Sequence, residues 1–227
     1  MSEVTAIIAA AGAGRRMGPG PPKQLLELGG RPILIHTLQA FEQCEQVDDI
    51  IVVVSREIYD FCTERIPPHF PKVKRIVTGG ERRQDSVYEG LKAVEDGTKI
   101  VVIHDGTRPF ITPQEISESI RLCRQAKAVV VAVRVKDTIK SVVNGAVKET
   151  LDRNRLWAAQ TPQTFEFPLI LRAYQEAYGE GFYSTDDSAL VERLGYKVEV
   201  LEGSYRNIKI TTPEDLILAK RILRNFT

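Results

Sequence analysis

The sequence predicts an α/β fold: one domain on a mostly parallel sheet, with a protruding β-hairpin arm. Three observations predict it. Short β-branched runs alternate with amphipathic helical stretches through the first half of the chain. Those runs are apolar on both faces, as strands covered by helices on two sides must be. One stretch, 138–150, breaks the rhythm with an Asn-Gly pair between two short β-branched runs.

In order, Val4–Ala10, Ile50–Val54, Val73–Val77 and Ile100–His104 are predicted as strands. Between them, helical stretches are expected around 33–43, 57–66 and 85–94. Leu34, Leu38 and Phe41 share one helical face, as do Val87, Leu91 and Val94. Thr112-Pro113-Gln114-Glu115 is a helix start, because threonine caps, proline suits the first turn and Glu115 completes a capping box. That helix is expected to run to Gln125, followed by a strand over Val129–Val135. Thr212-Pro213-Glu214-Asp215 repeats the signal for a C-terminal helix through Leu223. Asn144-Gly145 suits a type I′ turn, so 141–148 reads as a hairpin. A hairpin has no natural place in a parallel sheet. It is expected either to bury its apolar residues against a second subunit or to remain a surface hairpin. With no internal repeat or linker, the division is one domain over 1–227 with an arm at 137–154 inside it.

Composition excludes several classes. Lys plus Arg (31) nearly cancels Asp plus Glu (30), so bulk charge points to neither nucleic acid nor membrane, and any anion site is built locally. Cys44, Cys62 and Cys123 are odd in number and lack CxxC spacing, which argues against disulfides or zinc and for core roles in a reducing cytosol. The N-terminus lacks a basic n-region followed by an apolar h-region, so no secretory signal is expected, and the apolar run Val4–Ala11 is too short to span a bilayer. A soluble, cytoplasmic protein is expected.

The first strand is followed by Ala9-Ala10-Ala11-Gly12-Ala13-Gly14-Arg15-Arg16-Met17-Gly18 and then Pro21-Pro22-Lys23-Gln24. Glycines let backbone N–H groups approach an anion closely. Gly12, Gly14 and Gly18 loosely imitate a dinucleotide fingerprint. That fingerprint needs a helix at its last glycines, which Pro19, Pro21 and Pro22 would disrupt. The second strand also ends in Ser55-Arg56 and not in the acid that binds a ribose. A loop carrying Arg15, Arg16 and Lys23 suits a polyphosphate better. Gly79-Gly80-Glu81-Arg82-Arg83-Gln84-Asp85-Ser86 lies on the same sheet edge, with Asp85 or Ser86 as a candidate helix cap. His104-Asp105-Gly106-Thr107-Arg108-Pro109 ends the fourth strand. Asp105 there is placed to hold a hydrated Mg²⁺, Arg108 to pair with a phosphate, and His104 reads as a packed residue. The clusters at 137–140, 152–154, 161–165, 184–187 and 207–211 each read singly as a turn or cap.

Together, AAAGAGRRM, PKQ, GGERRQDSV, HDGTRP, VKDTIK, TPQTF, TDD and NIKIT resemble the 2-C-methyl-D-erythritol 4-phosphate cytidylyltransferase family over nearly the whole chain. The resemblance implies a Rossmann-like nucleotidyltransferase domain that uses CTP and Mg²⁺. It implies nucleotide binding by Ala10, Ala11, Gly12, Gly14, Gly80, Glu81, Ser86 and Asp105. Arg16 and Lys23 become the catalytic cations. Asp105, Arg108, Thr138, Arg153, Thr185 and Lys209 become the residues for the acceptor, a small sugar-alcohol phosphate. A homodimer is also implied, with Thr138 and Arg153 on an arm serving the neighbouring subunit's site. HDGTRP departs from the more familiar HDAARP, and the 18–21 loop is unusually rich in glycine and proline. The neighbouring expectation is ribitol-5-phosphate cytidylyltransferase, whose first loop usually carries a double glycine after one alanine. A non-catalytic nucleotide-binding module and an NADP oxidoreductase are the other classes to set against it.

Overall fold

The computed structural model describes residues 2–18 and 20–225. Pro19, one of the expected helix breakers, lies outside the described residues, as do the side chain of Arg15 and the chain ends. The first half comprises β1 (Val4–Ala10), the short pair β2 (Glu27–Leu28) and β3 (Arg31–Pro32), α1 (Ile33–Gln43), β4 (Asp49–Val54) and α2 (Tyr59–Arg65). Then follow β5 (Val73–Thr78), α3 (Arg83–Lys92), β6 (Ile100–Asp105), α4 (Pro113–Ala126) and β7 (Ala128–Arg134). The hairpin β8 (Lys140–Val143) and β9 (Ala146–Thr150) precedes β10 (Trp157–Glu166) and α5 (Phe167–Gly179). The chain ends with α6 (Ser188–Arg193), β11 (Glu199–Glu202) and α7 (Pro213–Leu223).

Among the described residues, one seven-stranded sheet has the order β11-β7-β10-β6-β1-β4-β5. Only β10 runs antiparallel, against both β6 and β7; the remaining pairs are parallel. Alternation within β1 shows why both faces must be apolar. Val4, Ala6, Ile8 and Ala10 join the core beneath α1, α2 and α4, through Leu34, Leu38, Phe41, Cys62, Ile116 and Ile120. Ile7 joins the opposite core with Val87 and Leu91 of α3, Ile170 and Tyr174 of α5, and Val191 of α6. Each such large side chain, once buried, contributes roughly 1.5–3 kcal/mol. At the sheet edge, β5 exposes Lys74 and Arg75, charges that discourage pairing with another chain.

The capping signals hold at both helices where threonine leads. Thr112 Oγ1 accepts from Glu115 N while the Glu115 carboxylate accepts from Thr112 N, and Thr212 and Asp215 do the same for α7. At α3 the expectation is corrected. Arg82 is the capping position, and Asp85 sits three residues in, accepting the Arg82 N–H at 2.9 Å. The cysteines are free and buried, and burial pushes the Cys62 thiol up to about 11.

The hairpin turns through Asn144 (φ 51°) and Gly145 (φ 80°), both left-handed, as a type I′ turn requires. Val142, Val143 and Val147 are 54%, 53% and 61% exposed, so the arm presents its apolar side chains to solvent in the isolated chain.

The 161–165 cluster is neither turn nor cap. It lies within β10, where the pairing register with β7 shifts between Ala159 and Gln163 and the Thr161-Pro162 peptide is cis. Proline in a central strand is confined to such irregularities, which is why the sequence pattern hid this strand.

Candidate active site

β1 pairs with β4 on one side and β6 on the other, so the order of the sheet reverses at β1. The rim beyond the carboxyl ends of β1 and β6 is where ligands bind in such sheets. A cavity of about 250 Å³ occupies it, lined among others by Ala11, Gly12, Lys23, Gly80, Glu81, Ser86, Asp105 and Lys209.

Between β1 and β2 the described residues form two short 3₁₀ turns, Arg15–Met17 and Lys23–Leu25, and the first α-helix begins at Ile33. Among the described residues no α-helix starts at the glycines, so the dinucleotide geometry is not formed. Gly14 adopts φ 66°, and a Cβ there would lie 3.3 Å from Lys23 Cγ. Glycine thus permits both the turn and the seating of the lysine stem. The buried Gln24 amide donates to the carbonyls of Ala10 (2.5 Å) and Gly12 (2.8 Å), folding the loop back over the strand end.

The second loop is pressed onto the first. A Cβ on Gly79 would fall 2.5 Å from Ala11 Cβ and 2.6 Å from Ser86 Oγ. Ser86 Oγ donates to Arg82 O at 3.0 Å, closing the 80–86 segment over the first turn of α3.

Asp105, 5% exposed, is the electrostatic centre. Its Oδ1 accepts from Arg83 Nε (3.1 Å), and its Oδ2 meets Arg108 Nε (3.2 Å) and Lys209 Nζ (3.0 Å). Burial opposes ionisation, but attraction from Arg83, then Lys209 and Arg108, holds the carboxyl well below the usual carboxylate range. Lys23 is shifted down, first by burial and then by repulsion from Lys209, with Arg16 adding to it and Asp105 opposing. Lys23 therefore feels both Lys209 and Arg16. His104, fully buried between Thr161 Oγ1 (3.1 Å) and Arg108 O (3.2 Å), is a packed residue, as expected. Burial drives its pKa down to about 3, so it is neutral at pH 7.

Of the other expected site residues, Ala10 is buried at the end of β1, behind the cavity. Gly14 supports Lys23, and Arg16 is exposed outside the lining. Arg108 turns beneath the cavity, with Nη1 on Asn207 O at 2.8 Å. Thr138, Arg153 and Thr185 are exposed and outside the lining; Arg153 Nη1 donates to Lys136 O at 3.0 Å. Sequence reasoning missed Arg83 and Asp187 as partners. Arg83 grips both Asp187 oxygens at 2.9 Å across 104 positions of sequence. The only available signal was that both lie in quoted motifs.

Among the described residues, no group of three His, Cys, Asp or Glu side chains stands ready to hold a metal. The lining does carry two carboxylates, Asp105 and Glu81, and no thiol or imidazole. That donor set fits one hard divalent cation completing its shell with waters and substrate phosphates.

A doubly covered parallel sheet, glycine-bearing loops at its switch point and clustered cations around one carboxylate define a nucleotidyltransferase, a class that generally uses a divalent metal. Residues 4–225 match the family model of IspD, 2-C-methyl-D-erythritol 4-phosphate cytidylyltransferase, and the chain belongs to that family. A relative of that name from Clostridioides difficile is 51% identical over 96% of this chain and 92% of its own. One from Desulforamulus reducens is 48% identical over 99% and 97%. Among solved structures, 4-diphosphocytidyl-2C-methyl-D-erythritol synthase from Anaerococcus prevotii superposes with a TM-score of 0.88 at 36% identity, covering 98% of this chain and 96% of that one. The Thermus thermophilus cytidylyltransferase gives 0.80 at 29% identity, covering 99% and 100%. These matches favour methylerythritol phosphate over ribitol 5-phosphate as the acceptor. No helix among the described residues is long and apolar enough to cross a membrane.

Proposed function

We propose that this chain transfers CMP from CTP to 2-C-methyl-D-erythritol 4-phosphate in isoprenoid precursor synthesis, releasing pyrophosphate. The observation that carries the reading is the meeting of Lys23, Lys209 and Asp105 in one cavity at the sheet's switch point. An acceptor phosphate oxygen attacks the α-phosphorus as the bond to the bridging oxygen of pyrophosphate breaks. A phosphate monoester has a second pKa near ~6, so the nucleophile is already mostly dianionic at pH 7 and needs no base. Repulsion between two anions is the barrier. Arg16 and Lys23 neutralise charge on the triphosphate as it develops, and Lys209 and Arg108 receive the acceptor phosphate. The backbone at Ala10, Ala11, Gly12, Gly14 and Gly80, with Glu81 and Ser86, frames the nucleotide. Mg²⁺ would be held by Asp105 together with CTP phosphates, and when bound it supplies further neutralising charge. Thr185 and, from a neighbouring subunit, Thr138 and Arg153 orient the acceptor. The proposed setting is the cytoplasm.

Pyrophosphate release measured across nucleotides and both acceptors tests this. Turnover with CTP and methylerythritol phosphate is expected; a higher kcat/KM with ribitol 5-phosphate would overturn the acceptor assignment.

The 137–154 arm is read as the dimer contact because its valines lie exposed in the isolated chain. Replacing Val142 and Val147 together with aspartate is expected to shift sedimentation from dimer to monomer. Unchanged sedimentation would remove the arm from that role.

A further inference from the structure

Three consecutive residues at the start of α3 each hold a different part of segment 182–187. The Arg82 guanidinium lies 3.7 Å from the Tyr183 ring centroid. Arg83 spans from Asp105 to Asp187, touching both carboxylate oxygens of the latter. Gln84, itself buried, donates from Nε2 to Phe182 O (3.1 Å) and accepts from Ser184 N at Oε1 (2.8 Å). The far end of the segment is fixed as firmly. Asp187, 1% exposed, accepts the Tyr174 hydroxyl at 2.5 Å. Gln163 Oε1 accepts the N–H groups of Asp187 (3.0 Å) and Ser188 (2.9 Å). A two-point guanidinium–carboxylate contact resists rotation as well as separation, and a pair whose carboxylate is buried is costly to open. The start of α3 closes the 80–86 loop of the cavity, and Thr185, assigned above to the acceptor, sits inside the segment so held.

We propose that Gln84 and Asp187 are positioning residues that join the nucleotide loop and the acceptor segment into one rigid piece. Filling the cavity with CTP then orders the segment that receives the phosphate ester. The inference rests on the assignment of Thr185 to the acceptor. Neither Gln84 nor Asp187 lines the cavity; Asp187 acts through Arg83, and Gln84 through the backbone on either side of Tyr183.

Hydrogen exchange at amides 182–187, with and without CTP, tests the coupling without any acceptor present. In the wild type CTP is expected to slow exchange there by roughly 10-fold, the size of an ordinary coupling between two sites. In Asp187→Asn and Gln84→Met the slowing disappears while CTP affinity is retained, and the acceptor KM rises by roughly 10-fold with the CTP KM unchanged. Gln84→Glu, which keeps the acceptor for Ser184 N, recovers part of the effect. Absence of CTP-dependent slowing in the wild type would overturn the proposal, as would a loss of CTP affinity parallel to the rise in acceptor KM. If Asp187→Asn does not fold, Gln84→Met, which removes no charge, gives the same readout. Coupled exchange without turnover on methylerythritol phosphate would sink the functional reading and leave this one standing.

Discussion

Lys23→Ala is expected to lower kcat by about 10²–10³ while the protein stays folded, the usual loss on removing one preorganised charge from a site of developing negative charge. The structure gives the reason for so large an effect. Lys23 is held in place by the Gly14 turn and by the Gln24 amide bonded to the strand end. In the proposed role it would therefore meet the triphosphate without reorganising. Its depressed pKa, caused by burial and by Lys209 and Arg16, adds a pH signature. As pH rises through that lowered pKa, Lys23 loses its charge earlier than an ordinary lysine. The kcat/KM for CTP should fall on the alkaline side, and Lys23→Ala should lack that limb. Near-normal turnover in the folded variant would remove Lys23 from the catalytic role.

Asp105→Asn is expected to be costly twice over. Deleting the carboxylate leaves Arg83, Arg108 and Lys209 without their shared counter-ion, and breaking a buried ion pair on one side destabilises by about 3–5 kcal/mol. Because Lys209 is one-third exposed, the lower end of that range is expected. The Asp105 pKa is depressed in the folded state, so its stabilisation is fully present above the ordinary aspartate value of about 3.9 and is lost as pH falls through the folded value. The gap in unfolding free energy between wild type and variant is thus complete at pH 7 and narrows only in acid. Turnover should fall by at least about 10², since the cations proposed to receive the acceptor lose their alignment. Chemical denaturation at pH 7 and pH 3, with turnover measured alongside, checks both. A gap equal at the two pH values would show that the carboxylate is not stabilised by these cations.

How much was legible varies along the chain with how local the signal is. The span of α1 and the two threonine-led helix starts follow from residues within one or two turns of each other, and the structure forms them at those positions. The Asn144-Gly145 turn is equally local. β10 was missed because Pro162 forbids regular pairing at its own position, and nothing nearby shows that β6 and β7 flank it. α5, α6 and β11 went unassigned.

At the site, the glycine loops and the aspartate ending β6 were visible because a strand end followed by small residues marks where ligands bind in such sheets. The Arg83–Asp187 grip and the Gln84 tie to 182–184 were not, since they join residues about a hundred positions apart.

The sequence by itself determined the alternation of strands and helices, the helix starts, the hairpin turn and the residue types brought to the sheet's rim, because each depends on near neighbours. Only the tertiary structure decided that β10 enters the sheet backwards, that Asp105 is shared by three cations, and that α3 is tied to 182–187. Those outcomes depend on which distant segments exclude water from one another, and no local pattern encodes that choice.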